Sequence, residues 1–235
     1  TITLTGNVAD TNVLAATLAD NVGPPSLTTN GSTLWIVTGN SSYSGVTTIA
    51  NGTLQVGAGS TNGNLGSSSV VNNGSLDINR TGSFTISGAI SGSGSLTNDG
   101  TGTVILAGDN TYTGQTTVNA GTVQIGNGGA TGKLDVNNNV IDNSTLIFNS
   151  SGAFQFSGNI TGTGQLIKRG SGLLKLLGVT GMNGGLTIDA GATVQISQGL
   201  TGNYTATNGG ITNNGTLIIV RQDLSVLGIT NNIVG

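Results

Sequence analysis

Apolar and polar residues alternate in short segments along most of the chain. Leu54 and Val56 flank Gln55, and the same arrangement recurs at 123–125, 174–176 and 194–196. A period of two is typical of a β-strand with one buried face. The segments are about 4 to 6 residues long and are bounded by Gly and Asn, which favour turns. The pattern therefore predicts an all-β protein made of short strands.

A longer repeat contains these strands. Similar segments begin at Leu27, Leu96 and Leu166, so the long repeat recurs at a nearly constant spacing. Inside the repeat, a turn written x-Gly recurs at a shorter spacing, at Gly31, Gly52, Gly74, Gly100 and Gly121. This spacing indicates a loop of about 21 to 26 residues as the physical unit, with three loops in each long repeat.

A single loop of this size cannot bury its apolar face, but stacked copies can. We therefore predict a right-handed, single-stranded parallel β-helix (a β-solenoid) of roughly ten coils, about 50 Å long at about 4.8 Å per coil. A β-sandwich is the alternative, although its strands would need no such regular register. Residues 1–235 are interpreted as one domain, with repeats at 27–95, 96–165 and 166–235 and a partial repeat at 1–26.

The repeat also predicts which side chains face inward and which occupy turns. The expected core residues are Trp35, Val37, Leu54, Val56, Leu76, Ile78, Val104, Leu106, Val123, Ile125, Leu146, Phe148, Leu174, Leu176, Val194 and Ile196. The residues expected to face solvent are Gln55, Asp77, Gln124, Lys175 and Gln195. The residues before the turn glycines should share corners of the coils, and they are Asn30, Asn51, Asn73, Asp99, Ala120, Asn143, Arg169, Ala190 and Asn214.

Composition excludes several classes of function. The chain has 42 Gly and only 6 % charged residues, and six Lys and Arg are too few for a nucleic-acid interface. A membrane-spanning helix needs an apolar run of about 18 residues or more, and the sequence contains none. The absence of His and Cys excludes Ser-His-Asp and Cys-His catalysis and nearly all zinc sites. The first residue, Thr1, is not an initiator Met, which suggests a removed leader or a piece of a longer protein.

Paired carboxylates, as in polysaccharide-cleaving β-helices, are the remaining catalytic possibility. In the repeat alignment no two Asp residues fall on neighbouring coils at one phase, so we predict no catalytic, metal or cofactor site. Residues 128–136 resemble one unit of a Gly/Asp calcium roll, but a roll needs stacked copies, and we interpret the segment as a Gly-rich turn. Tyr43, Tyr112 and Met182 occupy equivalent positions, and packing at a corner is favoured over an exposed aromatic ladder.

The strings 110–126 and 42–56 closely resemble the autotransporter-associated β-strand repeat, in the order Tyr-x-Gly-x-Thr-x-Val-x-x-Gly-Thr-Leu or a close variant. The third copy departs from it at Met182. The resemblance implies a large secreted bacterial protein whose passenger is a right-handed β-helix at the cell surface. The chain is then a passenger fragment, or a relative that uses the same repeat without the family's barrel.

Three functional hypotheses follow from these patterns. The first is a non-enzymatic passenger-type stalk or adhesin segment, secreted or at the cell surface, with a possible host or matrix surface ligand. The second is a self-assembling subunit of an extracellular filament, because 2–6 matches 224–228 in phase and neither end shows a cap. Both hypotheses place an adjoining β-helix or a second copy at each end. A polysaccharide lyase or hydrolase is kept only for contrast.

Overall fold

The computed structural model describes residues 1–6, 11–21, 23–198, 204–205, 209–221 and 233–235. Over these ranges the chain forms strands and turns and no helix. Successive strands lie on three faces in turn, and each strand pairs in parallel with the strand one coil away. The predicted all-β parallel solenoid of about ten coils is confirmed.

The three faces are named in the order in which the chain visits them. The first face consists of β1 (Ile2–Gly6), β3 (Leu27–Gly31), β5 (Thr47–Ile49), β7 (Val70–Asn72) and β10 (Ile90–Ser91), and further along the axis of β17 (Phe154–Phe156), β20 (Leu173–Leu176), β23 (Thr193–Gln198) and β26 (Thr216–Arg221). The second face consists of β2 (Thr11–Leu14), β4 (Leu34–Val37), β6 (Thr53–Ser60), β8 (Ser75–Arg80), β11 (Ser95–Asn98), β13 (Thr116–Val118), β15 (Val140–Asp142), β18 (Ile160–Gly162), β21 (Thr180–Met182) and β24 (Tyr204–Thr205). The third face consists of β9 (Ser83–Ile86), β12 (Thr103–Leu106), β14 (Thr122–Ile125), β16 (Thr145–Asn149), β19 (Gln165–Arg169), β22 (Leu186–Ile188), β25 (Ile211–Asn213) and β27 (Ile233–Val234).

Two irregular segments connect the two sheets of the first face. In the coil after β10, the amide of Tyr112 donates to the carbonyl of Ile90 over 3.2 Å, and the amide of Asn110 donates to the carbonyl of Lys133 over 2.8 Å. Closer to the C-terminal end of the stack, the amide of Ser157 donates to the carbonyl of Val136 over 2.6 Å. The stack of coils is therefore continuous, although the strand ladder of this face is interrupted.

The sequence repeat does not equal a whole number of coils. Leu27 lies in β3 on the first face, Leu96 in β11 on the second and Leu166 in β19 on the third. Each repeat therefore spans three coils and one further face, and the expectation of three loops per repeat is wrong. The expectation of one coil for each interval between turn glycines fails at the long interval from Gly74 to Gly100. One coil is complete at Gly94, and β11 then leads to the next corner, at Gly100.

The alternating pattern places side chains as predicted. Every residue expected in the core is buried except Trp35, which is half-buried and packs against the core. Trp35 lies near the N-terminal end, where its in-register neighbour in the preceding coil is the polar Asn12. The residues expected to face solvent point outward but are half-buried, because in-register side chains of adjacent coils flank them.

The residues before the turn glycines do share corners. The side-chain amide of Asn51 donates to Oδ1 of Asn30 over 3.2 Å at the corner between the first and second faces. At the next corner Asp99 accepts from Asn119, the residue beside Ala120, over 2.7 Å. At the third corner Arg169 forms an exposed ion pair with Asp189 over 3.0 Å. Only glycine has positive φ among the described residues, so these Asn residues act through their side chains and not through left-handed backbone.

The structure describes only one of the two segments in the proposed phase match between 2–6 and 224–228. Ile2 begins β1, whose strand neighbour is β3. Leu224, its counterpart in the phase match, lies outside the described residues.

Substitution at two adjacent positions of β14 tests the register. Val123 is fully buried, whereas Gln124 points outward and donates to the carbonyl of Gly126 over 2.7 Å. Val123→Asp should lower the free energy of unfolding by about 3 kcal/mol or more, because it buries an unpaired charge. Gln124→Asp should cost only about 1 kcal/mol for its hydrogen bond. Urea denaturation measures both, and equal losses would contradict this register.

Candidate ligand grooves

Two grooves lie where a long connection replaces a strand. The upper groove, on the third face, is formed around the segment 57–67, and the lower groove, on the first face, around 126–136. These segments occupy equivalent positions in the sequence repeat. Their cavities measure about 210 and 390 Å³. Since the repeat advances by one face, the two grooves open on different sides of the solenoid.

Matched glycines give the two segments the same backbone. Gly57, Gly59 and Gly63 have φ of 85°, 74° and 90°, and their counterparts Gly126, Gly128 and Gly132 have φ of 83°, 92° and 92°. Left-handed backbone of this kind favours glycine. A Cβ on Gly132 would also lie 2.1 Å from the Cα of Gly126, so this glycine is required by space as well as by conformation.

Side chains from the preceding coil hold each segment in the same way. The amide of Gly63 donates to Oδ1 of Asn40 over 3.0 Å, and the amide of Gly132 donates to Oδ1 of Asp109 over 2.9 Å. Each of these two residues also forms a parallel bridge with the residue after the glycine, which is Asn64 or Lys133. The scaffold is thus duplicated down to its individual hydrogen bonds.

The tyrosines that precede each groove belong to the core. Tyr43 and Tyr112 are buried, and the hydroxyl of each lies 2.6 Å from Oγ1 of Thr47 or Thr116. Burial raises the pKa of both hydroxyls. Packing of the two tyrosines is therefore confirmed, and neither contributes to an exposed ladder. The side chain of Met182, the third equivalent, lies outside the described part.

An edge strand forms the lower wall of each groove. β9 ends the eight-stranded sheet and β17 ends the four-stranded sheet, so within the described residues each has a strand neighbour on one side only. Thr85 of β9 and Gln155 of β17 are exposed and line their grooves. Polar edge residues of this kind leave backbone and side-chain groups available to a bound molecule.

The linings of the two grooves differ. The upper groove is small and uncharged, and its lining residues are Ser41, Ser42, Asn64, Leu65, Gly66, Ser67, Thr85 and Ser87. The lower groove contains Asp109, Lys133 and Asp135 beside Val136, which is 44 % exposed. A neighbouring hollow of about 280 Å³ extends it to Lys175. A constant scaffold thus carries two different chemical surfaces, which is typical of recognition loops.

A further hollow, of about 280 Å³, lies between β22 and β25 against Val234. Its lining has no ionisable side chain. It offers less varied chemistry than the lower groove.

One pair of carboxylates does lie on neighbouring coils. Asp77 of β8 is in register with Thr97, which shortly precedes Asp99, and the two carboxyl groups are within hydrogen-bonding reach. Asp99 lies two positions beyond the residue in register with Asp77, so the pair does not share a phase, which agrees with the expectation from the repeat alignment. Burial, followed by the charge of Asp99, raises the pKa of Asp77 to about 6.

This pair has the wrong geometry for glycoside cleavage. The catalytic carboxyl groups of glycosidases stand about 5 Å or more apart, whereas Asp77 and Asp99 are in contact. Neither of them lines the two grooves. Within the described ranges, no group of three or more His, Cys, Asp or Glu side chains could hold a metal ion.

Comparison with known proteins identifies the repeat. The family model described as passenger-associated-transport-repeat matches residues 27–56, 96–125 and 166–196, so the chain carries three copies of it. A segment of 94 residues, 40 % of this chain, is 38 % identical to an adhesin autotransporter, BmaC, of Brucella suis, and it spans 3 % of that protein. No solved structure matches the chain.

The family resemblance read from the sequence is thus confirmed. The repeats and the adhesin relative indicate an exported bacterial protein of the cell surface. The described residues contain no helix that could cross a membrane.

Two glycines of the lower groove provide a matched test of its scaffold. Both Gly128 and Gly132 have a φ of 92°, but a Cβ on Gly128 would come no nearer than 3.9 Å to another residue. Gly128→Ala should therefore cost about 1 kcal/mol for the left-handed backbone alone. Gly132→Ala should cost clearly more and should increase amide hydrogen exchange across 126–136. Equal costs would show that close packing of Gly132 does not maintain the groove.

Proposed function

We propose that this chain is a rod-shaped segment of an adhesin-like passenger protein, in which stacked coils act as a rigid spacer and the grooves form a ligand surface. The observation that carries the proposal is the presence of three passenger-associated-transport-repeats in one continuous stack of coils. Roughly ten coils at about 4.8 Å each extend about 50 Å. Such a rod projects its surface loops away from the point where it is attached.

The surface of the rod carries few charges, which favours a role in presenting surface loops over a role in binding a polyanion. Only six Lys and Arg and nine Asp occur in the chain, so broad electrostatic attraction to a polyanion has little basis. The local charges of Asp109, Lys133 and Asp135 are grouped in the lower groove. We infer that a host or matrix surface ligand contacts this groove more than the flat faces.

A non-enzymatic role is the better inference for the whole chain. His and Cys are absent, and the carboxylates of Asp77 and Asp99 are in contact with each other instead of flanking a substrate-sized space. The enzyme hypothesis has no site to support it among the described residues. The filament hypothesis has no support from the comparisons, since the relative found is an adhesin.

Surface display tests the adhesive part of the proposal. Bacteria that display the chain should attach better to host-cell layers or matrix-coated surfaces than bacteria that display an unrelated passenger of equal length. Val136→Glu, which puts a charge on the exposed apolar residue of the lower groove, should reduce that gain several-fold. The control is Thr161→Glu, which places the same charge on the exposed second face.

Two outcomes would contradict this proposal. Equal attachment by both passengers would remove the adhesive role and leave the spacer alone. Equal losses from Val136→Glu and Thr161→Glu would place the ligand surface outside the lower groove. Surface amounts of each variant, measured with an antibody to an added tag, must be equal for the comparison to hold.

A further inference from the structure

Buried Asn side chains fasten one coil to the next where a strand ends at a corner. Asn72 ends β7 and is fully buried. Its Oδ1 accepts from the amide of Gly74 over 3.2 Å, and its Nδ2 donates to the carbonyl of Ser95, in the next coil, over 2.8 Å. Asn98 donates to the carbonyl of Ala120 over 2.7 Å in the same manner. The amide group thus supplies an acceptor within the turn and a donor to the following coil.

Asp142 occupies the position of Asn72 in the second repeat. It ends β15 and is fully buried. Its Oδ1 accepts from the amide of Ser144 over 3.1 Å, as Oδ1 of Asn72 does from Gly74. In the third repeat the position is again an asparagine, Asn213, whose Oδ1 accepts from Gly215. The acid is therefore the exception in a column of amides.

The surroundings of Asp142 and Asn72 match closely. The amide of Gly164 donates to the backbone carbonyl of Asp142 over 2.7 Å, as Gly94 does to Asn72 over 2.8 Å. A Cβ on Gly164 would lie 2.5 Å from Cγ of Asp142, and one on Gly94 would lie 2.6 Å from Cγ of Asn72. Both side chains thus fill the same space beneath a glycine. Yet Oδ2 of Asp142, which replaces the donating Nδ2, is buried without a partner.

We propose that Asp142 is a proton-dependent fastener between coils, whose protonated carboxyl group donates to the backbone carbonyl of Gln165 as the Asn72 amide donates to that of Ser95. Gln165 is the counterpart of Ser95, and the amides of both donate to the preceding coil at equivalent carbonyls, those of Ser144 and Gly74. The ionised carboxylate has no proton to donate and leaves this link open. The second repeat therefore binds a proton where the first and third have a fixed amide.

Electrostatics around Asp142 support this assignment. Burial raises the pKa of Asp142 to about 6, against a smaller lowering by the amides of Ser144 and Leu146. The strands β13, β16 and β18 carry no ionisable side chain. The two cations of β19, Lys168 and Arg169, donate elsewhere, to the carbonyl of Gly170 and to Asp189. Its in-register neighbour in β13 is Val118. No charged side chain contributes to the pKa of Asp142, so no charge offsets ionisation of its carboxyl group.

The direction of the pH effect follows from the raised pKa. The unfolded chain loses the Asp142 proton near the ordinary value of 3.8, whereas the folded chain keeps it to about pH 6. The contribution of Asp142 to stability is therefore largest below about pH 4, falls between about pH 4 and 6, and stays low above that range. Mild acid should therefore stabilise the contact between this coil and the next, and neutral pH should destabilise it.

Two reciprocal variants test the fastener. Asp142→Asn should raise the Tm at pH 7.5 by several degrees, and the gain should disappear at pH 4. Asn72→Asp should lower the Tm at pH 7.5 and do so much less at pH 4. Asp77, whose pKa is also raised to about 6, is present in every protein compared, so its contribution cancels in the differences.

Carbon-13 NMR of the Asp carboxyl groups provides a direct readout that does not depend on a variant's folding at neutral pH. The resonance that disappears in Asp142→Asn should titrate near pH 6 in the unaltered chain. A midpoint near pH 4 would overturn the proposal. A Tm gain from Asp142→Asn that is the same at both pH values would overturn it as well, because it would reflect packing and not a proton.

Discussion

Parallel pairing of each strand with the strand one coil away determines which side chains face inward and how closely the corners of adjacent coils approach. The register requires each side chain to lie over its counterpart in the next coil, as Trp35 lies over Leu54 and Leu54 over Leu76 on the second face. Inward positions must then be apolar in coil after coil, as at Leu54 and Leu76. Corners must allow close backbone approach, and a Cβ on Gly94 would lie 2.3 Å from the carbonyl oxygen of Gly74.

The advance of one face per repeat links this constraint to function. Equivalent segments keep their backbone and internal hydrogen bonds, yet they point to different sides of the rod. Gly63 and Gly132 build the same turn, one on the third face and one on the first. A longer run of such repeats would distribute its grooves around the axis, and each could carry its own lining. The proton-binding corner at Asp142 is a second case of one scaffold position with altered chemistry.

Local features were predictable from the sequence, whereas the relation between repeat and coil was not. Alternation at residues such as Val123 identified the inward side, because it depends only on neighbours in the chain. Alternation does not indicate which face a strand occupies, so from the sequence alone the interval from Gly74 to Gly100 has the spacing of a single coil. The glycine spacing shared by 57–63 and 126–132 is visible in the sequence and marks the two grooves. The sequence alone does not show that these segments form grooves, because that depends on contacts with residues one coil away, such as Asp109.

Distance measurements between spin labels test whether each sequence repeat advances by one face. The chain has no cysteine, so pairs can be introduced freely. Gln55 and Thr117 lie on the second face three coils apart by register, about 15 Å. Gln55 and Gln124 are equivalent in the repeat but lie on different faces, so their distance should be clearly longer, about 25 Å, since the width of a face is added. A shorter distance for Gln55 and Gln124 than for Gln55 and Thr117 would contradict the advance by one face.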